Sequence, residues 1–258
     1  MLIAERRRLI AERLQAAGRV VVSDLSARFG VSEETIRRDL EWLEKEGIAN
    51  RTYGGALASQ SSKAPPPYAI RKNTNVEEKL AIAQQTAAMV VDGDAIMVDE
   101  SSTAACAVQA MRQRKGLTLI TNSLEILHEM GDQEGWNIIS TGGSMRSDVM
   151  ALTGPHALRT IRSYHVRYAI LSCRGINTQL GIADSSDDIV QVKQAMIEAA
   201  DCAVLLADYR KFDRAGLVSL GPLRTVARVV TDREPPAEWR TRFEEQEIAL
   251  YCNPNNFM

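Results

Sequence analysis

Cysteine and histidine are scarce in this chain, and their spacing excludes the common structural metal sites. The cysteines are Cys106, Cys173, Cys202 and Cys252, and only three histidines accompany them. The sequence has no CxxC pair and no Cys/His cluster, so we expect neither a metal nor a cofactor. The first three cysteines lie in apolar or small-residue runs, which predicts buried free thiols.

Long apolar runs and a strong excess of one charge are also missing. No stretch approaches the ~18 apolar residues of a membrane span, and the N-terminal MLIAERRRLIAERL is too charged for the core of a signal peptide. We therefore expect a cytoplasmic protein with no membrane partner. The formal net charge of -2 is far from that of a histone-like basic tract.

The length of the chain favours two domains of different charge. Its 258 residues are 45% apolar, which is ample for a buried core. Residues 1–63 hold 11 Lys and Arg against 9 Asp and Glu, whereas the remainder holds 20 against 24. This asymmetry suits a small nucleic-acid-binding head on a neutral body.

The most informative stretch begins at Ser32, which can act as the N-cap of a helix that reaches Lys45. Apolar residues recur at helical spacing inside it, namely Ile36, Leu40 and Leu43. One stripe of the helix is therefore predicted to enter a core, and the opposite face is predicted to stay exposed.

The exposed face carries side chains that suit DNA. Thr35, Arg37 and Arg38 lie near the start of the helix. Arginine reads guanine through paired hydrogen bonds and also clamps phosphates. An Arg-Arg pair by itself is more typical of an ordinary solvated helix face than of a DNA-binding one, so the interpretation depends on the flanking segments.

Those segments have the form of a helix-turn-helix. Ala4–Ala17 is predicted to be a first helix closed by Gly18. Ser23–Gly30 is predicted to be a short capped helix that turns directly into Val31. A helix, a glycine-bearing turn and a second helix are the sequence form of this DNA-binding motif.

Two strands, one on either side of the second and third helices, are predicted to pair into a small β-wing. Arg19–Val22 is a β-branched run that can pair with Ile48–Thr52, and the glycine turn Tyr53–Gly55 follows. Side chains on this wing would contact the DNA backbone beside the groove. The candidate DNA-binding residues are Ser32, Thr35, Arg37, Arg38, Arg51 and Tyr53.

The composition changes after residue 56. Ser, Gln and three consecutive prolines between Leu57 and Asn73 stiffen and extend the backbone. We predict a winged helix-turn-helix domain at 1–56, a Pro/Ser-rich linker at 57–74 and an effector-sensing domain at 75–258.

The pattern beyond the linker predicts an α/β domain. Asn75 can cap a helix that runs to Val91, and short apolar strands then alternate with helices. The predicted strands are Ala95–Val98, Leu117–Thr121, Trp136–Ser140, Tyr168–Ser172, Ala203–Ala207 and Val226–Thr231. The predicted helices are Thr103–Gln113, Leu124–Met130, Gly154–Ile161, Ile189–Ala200 and Ala237–Gln246. Such alternation is typical of a Rossmann-like parallel sheet covered on both faces.

Polar residues follow these strands, where ligands of such sheets bind. Helix starts offer hydroxyl and N–H donors to an anion, and paired glycines allow a close approach. The candidate ligand-binding residues are Asp99, Ser101, Ser102, Thr103, Asn122, Ser123, Gly142, Gly143, Arg146, Lys193, Asp208 and Lys211. An ordinary capped helix start explains any single one of these strand endings equally well. Together they predict a small anionic ligand, most simply a phosphorylated sugar.

The whole chain resembles the DeoR family of bacterial transcription regulators. The head matches in the TIRRDL segment, Thr35–Leu40, and in the later Tyr53–Ala56. The matching C-terminal segments are Glu77–Lys79, Asp99–Thr103, Thr121–Ser123, Gly142–Gly143, Gly154, Val192–Lys193, Ala195–Ile197, Ala207–Asp208 and Lys211–Phe212. The resemblance implies a sensor domain related to ribose-5-phosphate isomerase. It also implies a repressor of a carbohydrate catabolic operon that a phosphorylated intermediate releases or retunes.

The partners implied are double-stranded operator DNA, a small phosphorylated sugar and further copies of this chain. One small head binds an operator weakly, so we expect a homo-oligomer, a dimer or a tetramer. The chain departs from the family pattern where Ser101, preceded by Glu100, stands in place of a usual glycine. It departs again at Ile189, which occupies one position of a usual acidic pair, so that only Asp188 remains of that pair. An extra carboxylate near a phosphate would repel the dianion.

Two other functions stay open at this point. A DNA-binding regulator that has lost ligand sensing would explain the altered loop. A sugar-phosphate isomerase-like enzyme would recruit Asp99, Asp184, Asp188 and Lys193 for acid–base chemistry. A DNA-binding head has no role in a plain enzyme, so we expect a regulator and assign no catalytic residue.

Overall fold

Two units make up the chain, Met1–Thr74 and Asn75–Met258. The computed structural model describes residues 2–45, 48–58 and 67–252. Within these ranges, none of the helices combines the length and the apolar character needed to cross a membrane.

The N-terminal unit combines helices with a small sheet. Its elements are α1 (Ile3–Ala17), β1 (Arg19–Val21), α2 (Val22–Phe29), α3 (Glu33–Lys45), β2 (Ala49–Thr52), β3 (Gly55–Ala58) and α4 (Tyr68–Asn73). Gly18 and Gly30 follow α1 and α2 in the left-handed conformation, with φ of 73° and 63°. Glycine is the residue that most easily adopts this conformation at a helix end. The predicted stops of both helices are therefore confirmed.

The predicted core stripe of α3 is also confirmed. Ile36, Leu40 and Leu43 are buried in a cluster that includes Ile10 and Leu14 of α1. The start predicted for the short helix was one residue late, since α2 begins at Val22. It has no side-chain cap bond, because the residue before it is Val21.

The strand pairing predicted for the wing was wrong. β1 pairs with β3, and β3 in turn pairs with β2, so the sheet order is β1-β3-β2. Tyr53 and Gly54 of the predicted glycine turn lie in the turn, whereas Gly55 already begins β3. A Cβ atom on Gly55 would lie 2.1 Å from the backbone oxygen of Val20. Glycine at this position therefore allows the third strand to approach β1.

The range predicted to be a linker contains regular structure at both ends. β3 continues to Ala58, and α4 directly follows Pro67, whose fixed φ is compatible with the start of a helix. Ile70 of α4 is buried in the core of the N-terminal unit. That unit therefore extends to Thr74, beyond the boundary predicted at residue 56. Residues 59–66 of the predicted linker lie outside the described residues.

The C-terminal unit is an α/β domain. Its helices are α5 (Val76–Met89), α6 (Ser102–Ala110), α7 (Leu124–Glu129), α8 (Pro155–Arg162), α9 (Asp187–Glu198) and α10 (Ala237–Glu245). Its strands are β4 (Ala95–Val98), β5 (Thr118–Thr121), β6 (Asn137–Ser140), β7 (Ser144–Arg146), β8 (Ala151–Thr153), β9 (Val166–Ser172), β10 (Gly175–Asn177), β11 (Gly181–Asp184), β12 (Ala200–Leu206), β13 (Val218–Gly221), β14 (Arg228–Thr231) and β15 (Ala249–Cys252). Short 3-10 turns occupy Tyr209–Lys211 and Leu223–Thr225.

A parallel sheet in the order β15-β14-β12-β9-β4-β5-β6 forms the centre of this unit. It contains every predicted strand and adds β15 at one edge. The antiparallel pair β7-β8 and the small sheet β10-β11-β13 were not predicted. Their strands contain glycine or polar residues in place of the near-continuous apolar runs that mark the strands of the parallel sheet.

Helices cover both faces of the parallel sheet, as predicted. Ile96 and Val98 of β4 pack with residues of α5 and α6 on one face. Met97, which points the other way along the strand, packs with residues of α8 and α9. Trp239 and Phe243 of α10 belong to a further cluster with residues of β12 and β14.

One smaller prediction about this unit was wrong, and another was confirmed only in part. Asn75 precedes α5, but its side chain does not cap the helix; its Oδ1 instead accepts a hydrogen bond from Arg210. All four cysteines are free, yet only Cys173 is buried, whereas the other three are partly exposed. Burial raises the pKa of the Cys173 thiol to about 12.

Candidate functional site

The first candidate site is the N-terminal end of α3. Ser32 immediately precedes this helix, and its Oγ accepts a hydrogen bond from the backbone N–H of Thr35 at 3.2 Å. The two hydroxyl oxygens lie 2.9 Å apart. The predicted cap is therefore present, and it fixes the first turn, the part of a recognition helix that reaches base edges.

Asp39 holds α3 against α1. Its Oδ2 accepts a hydrogen bond from Nε of Arg6 at 2.6 Å, and its Oδ1 accepts one from Nε of Arg7 at 2.9 Å. Asp39 and Arg6 are both buried, and the Arg7 guanidinium lies 4.7 Å from the centre of the Trp42 ring. This charged cluster fixes how α3 is presented. Sequence reasoning missed it, although a carboxylate beside the core stripe and an arginine run in α1 were the signals.

The predicted groove-facing arginines are exposed. Arg37 donates to Glu33 at 2.6 Å and Arg38 to Glu34 at 3.3 Å, each one helical turn earlier. The Arg38 side chain is 76% exposed and its partner 63% exposed. Such exposed pairs are weak, so a DNA phosphate or a base can replace the glutamate at little cost.

The predicted wing residues also lie at the surface. Arg51 lies on β2, where its backbone N–H donates to Glu44 at 2.9 Å and its guanidinium is 3.9 Å from the same carboxylate. Tyr53, in the turn that follows, is fully exposed. The Tyr53 ring is therefore accessible to a partner molecule.

The second candidate site lies at the carboxyl ends of the central strands, where the ammonium group of Lys193 is buried. Its Nζ is 2.6 Å from Oδ2 of Asp184, 3.0 Å from Oδ2 of Asp99 and 3.5 Å from Oε1 of Glu100. It also donates to the backbone oxygen of Ser172 at 2.8 Å. Burial alone would lower the pKa of Lys193, but the carboxylates hold it well above its usual value.

Asp99 joins two neighbouring strand ends. Its Oδ1 accepts a hydrogen bond from the backbone N–H of Ser101 at 3.0 Å, and its Oδ2 accepts one from that of Ser172 at 2.8 Å. Burial would raise the pKa of Asp184, but Lys193 holds it below its usual value. Three of the four acid–base candidates of the isomerase interpretation, Asp99, Asp184 and Lys193, are therefore bonded to one another. The fourth, Asp188, is bonded to Arg146.

Glu100 lies beside Asn122, which follows β5. The Glu100 side chain is buried, and its Oε2 accepts a hydrogen bond from Nδ2 of Asn122 at 3.2 Å. Burial raises the pKa of Glu100, while Lys193 opposes that shift. Oδ1 of Asn122 is buried without a hydrogen-bond donor among the described residues. Sequence reasoning chose Asn122 but noted Glu100 only as a departure from the family pattern.

Lys211 differs from Lys193 in its partners. Its Nζ donates to Oγ of Ser172 at 2.6 Å, and that hydroxyl donates to the backbone oxygen of Leu206. Among the described residues, no carboxylate lies within salt-bridge distance of Lys211. The nearby Asp208 accepts the backbone N–H of Arg210 at 3.1 Å and so caps the short turn that carries Lys211.

Ordinary helix capping accounts for two of the predicted hydroxyl groups. Oγ of Ser101 accepts a hydrogen bond from Ala104 at the start of α6, and Oγ of Ser123 accepts one from Ile126 at the start of α7. Ser102, Thr103 and the neighbouring residues are buried in the first turn of α6.

The glycine pair belongs to the packing of β8 more than to an open cradle. Gly142 and Gly143 have φ of 64° and 112°. A Cβ atom on Gly143 would lie 2.4 Å from the backbone oxygen of Thr153, whereas one on Gly142 would meet nothing within 4 Å. Glycine at 143 is therefore explained by the close approach of this strand.

Arg146 does not supply the free cation that the sequence suggested. Its guanidinium bonds to Asp148 at 2.6 and 2.9 Å and to Asp188 at 2.6 Å. The hydrogen bonds that Arg146 donates to these carboxylates raise its pKa, and their negative charges offset that of the guanidinium. Hydrogen bonds and ion pairs connect Asp99, Asn122, Lys193 and Lys211 through Glu100 and Ser172, but Arg146 lies in a separate cluster.

Both units of the chain match known protein families. The family described as DeoR-like helix-turn-helix domain matches residues 6–62, and the DeoR C terminal sensor domain matches residues 74–233. The uncharacterized HTH-type transcriptional regulator YulB of Bacillus subtilis is 39% identical over 232 residues, 90% of each chain. The glycerol-3-phosphate regulon repressor of Escherichia coli is 32% identical over 241 residues, 93% of this chain and 95% of that one.

One solved structure that is similar to this chain is that of ribose 5-phosphate isomerase A of Methanocaldococcus jannaschii. Its TM-score is 0.40 at 16% identity, covering 54% of this chain and 55% of that chain. The sequence matches span both the winged helix-turn-helix and the α/β unit. This chain therefore belongs to the DeoR family of transcriptional regulators.

Proposed function

We propose that this DNA-binding regulator represses a carbohydrate catabolic operon and that a phosphorylated sugar, bound in the C-terminal unit, lowers its affinity for the operator. A relative of similar length is named for repression of a glycerol-3-phosphate regulon. The proposed setting is the cytoplasm.

The contrast between the two lysines is the single observation that carries the proposed ligand. Lys193 is fully occupied by carboxylates, whereas Lys211 has one neutral hydroxyl partner at the same strand ends. A phosphate group offers several acceptor oxygens and a charge that an ammonium binds well. Lys211 is therefore the proposed phosphate contact, with Ser172 beside it.

The proposed DNA contact uses the exposed start of α3. Thr35, Arg37 and Arg38 would enter the major groove, while Arg51 and Tyr53 on the wing would touch the adjacent backbone. The buried Asp39 cluster supports this role because it fixes α3 without using the exposed arginines.

A homo-oligomer is part of the proposal. One winged head offers few contacts, and a specific regulator must outcompete a large excess of non-specific sites. Two heads on one oligomer raise the effective concentration of the second contact without new residues. Ligand binding in the C-terminal unit would then change how two heads engage one operator.

Two measurements on the full chain test the proposal. A labelled fragment from upstream of its own gene should bind at low salt, and binding should weaken as salt rises because phosphate contacts release counterions. Thermal unfolding should then be followed with glycerol 3-phosphate, ribose 5-phosphate, fructose 6-phosphate, glucose 6-phosphate and glucosamine 6-phosphate. A ligand present at one hundred times its Kd stabilises the folded state by about 2.7 kcal/mol.

The outcomes separate the alternatives. DNA binding together with a raised midpoint for one sugar phosphate supports the proposal. DNA binding with no shift for any of these compounds favours the regulator without ligand sensing. The buried Glu100 at the end of β4 is the observation that keeps this second candidate in view, because its carboxylate repels a dianion.

A further inference from the structure

Asn122 offers a ligand a hydrogen-bond acceptor whose orientation is fixed. Its Nδ2 donates to Oε2 of Glu100 at 3.2 Å and to the backbone oxygen of Leu152 at 3.3 Å. A flipped amide would place its oxygen against both of these acceptors, so the hydrogen-bond network assigns the orientation. Oδ1 therefore points away from them, and it is buried with no donor within the described ranges. A buried acceptor without a donor is a place where a ligand donor would be favourable.

Glu100 adds a third carboxyl group to the same end of the site. Its carboxylate contacts Asn122 on one oxygen and lies 3.5 Å from Lys193 on the other. Lys193 is closer to Asp99 and to Asp184, so one ammonium faces several carboxylates. This end of the site therefore repels a phosphate dianion and attracts a hydroxyl or an ammonium group.

The opposite end has the opposite preference. Lys211 donates to the neutral hydroxyl of Ser172, at the end of β9. Asn122 follows β5, and β4 alone separates β9 from β5 in the sheet order. Two strand spacings separate the backbones of Ser172 and Asn122 by about 10 Å. A monosaccharide phosphate can bridge that span with its phosphate at one end and its ring substituents at the other.

We propose, on the basis of the function proposed above, that Glu100 is a specificity-determining residue that orients the ligand. The ligand presents a hydroxyl or amino group to Oδ1 of Asn122 and the carboxylate of Glu100, and its phosphate contacts Lys211. A compound that carries phosphate but no sugar gains nothing from the Glu100 end. The carboxylate thus selects sugar phosphates with a donor at this position over other anions.

Calorimetric titration of the full chain tests this assignment. The probes are inorganic phosphate and the three hexose compounds that differ at one carbon: glucose 6-phosphate, glucosamine 6-phosphate and 2-deoxyglucose 6-phosphate, with ribose 5-phosphate and glycerol 3-phosphate alongside. Glu100→Gln removes the charge and keeps the shape. Glu134→Gln is the matched control, because Glu134 is an exposed carboxylate that precedes β6 at the other edge of the sheet.

Glu100→Gln should weaken the best sugar phosphate about ten- to one hundredfold, as expected for the loss of a hydrogen bond to a charged group. The same variant should leave inorganic phosphate binding unchanged or tighter, and Glu134→Gln should change neither. Lys211→Met should weaken sugar phosphate and inorganic phosphate together. Glu100→Gln should weaken the binding of both glucose 6-phosphate and glucosamine 6-phosphate, because each carries a donor at the carbon where the three compounds differ. It should not weaken the binding of 2-deoxyglucose 6-phosphate, which lacks that donor.

Asn122→Leu serves as a second variant if Glu100→Gln fails to fold. It removes the acceptor and the Glu100 contact together, and it should show the same selective loss. The inference is overturned if the wild-type chain binds a sugar phosphate but these variants keep the wild-type ratio of sugar phosphate affinity to inorganic phosphate affinity. That result leaves the proposed function standing. If the wild-type chain binds DNA but none of the sugar phosphates, both the proposed sensing and this inference are refuted.

Discussion

Replacing Lys193 by Met should destabilise the C-terminal unit strongly at neutral pH. The substitution keeps a long unbranched side chain and removes only the ammonium. It leaves Asp99, Asp184 and Glu100 buried without the cation that lies 2.6 to 3.5 Å from them. Breaking a buried ion pair by removal of one partner typically costs about 3–5 kcal/mol. Domains of this kind are stable by only about 5–15 kcal/mol, so the loss is a large share.

The effect should depend on pH in a defined direction. In the wild-type chain the pKa of Asp184 is lowered, so its contribution is present at neutral pH and is lost as the pH falls through that value. Without Lys193, burial and mutual repulsion raise the carboxylate pKa values. Protonation on acidification then favours the folded variant. The difference in unfolding free energy between wild type and variant should therefore narrow as the pH falls from 7 toward 5, a range of roughly two units.

Urea titration followed by tryptophan fluorescence measures this difference. A Trp42→Phe background restricts the signal to Trp136 and Trp239, both in the C-terminal unit. Lys211→Met is the matched control, because its ammonium makes one hydrogen bond to a neutral hydroxyl and should cost about 0.5–1.5 kcal/mol. The reasoning is refuted if Lys193→Met is no more destabilising than Lys211→Met at pH 7.

The remaining predictions concern the head and the glycine pair. Arg38→Ala should weaken operator binding by about 1–3 kcal/mol in fluorescence anisotropy with little change in stability. Arg242→Ala, which breaks a more buried arginine–glutamate pair of the same i,i+4 spacing in α10, should leave operator binding unchanged. Equal operator affinities and salt slopes for Arg38→Ala and the wild-type chain would contradict the assignment. Asp39→Ala leaves the buried Arg6 unpaired and should destabilise the head by about 3–5 kcal/mol, so an unchanged urea midpoint of its unfolding would argue against the cluster. Gly143→Ala should lower the thermal midpoint more than Gly142→Ala, because only the former clashes with backbone in addition to its positive φ; equal shifts would exclude that contact.

Elements whose residues follow a regular apolar pattern were predicted well from the sequence. The stripe of Ile36, Leu40 and Leu43 repeats over several turns, so helix and buried face both follow from spacing. The strands of the parallel sheet were found because each is a near-continuous apolar run between helices. The short hairpin of β7 and β8 contains too few residues to set a pattern, and β3 was hidden because Gly55 resembles a turn residue.

The arrangement of side chains in the candidate ligand site could be predicted from the sequence only in outline. The rule that ligands bind at the carboxyl ends of strands directed attention to Asp99, Asn122 and Lys211, which the structure connects. It could not show that Lys193 would be neutralised by Asp99 or that Arg146 would also bind Asp188. Which cation stays free depends on long-range pairing between side chains far apart in the chain, and spacing along the sequence does not report it.

Coupling between ligand and DNA tests the account most directly. The full chain is titrated onto a labelled fragment from upstream of its own gene, with and without a saturating amount of whichever sugar phosphate raises its unfolding midpoint. The account predicts that operator affinity falls by a typical coupling factor of about 5–150 and that the operator weakens sugar phosphate binding by the same factor. An operator affinity that stays the same with and without the saturating ligand would contradict it.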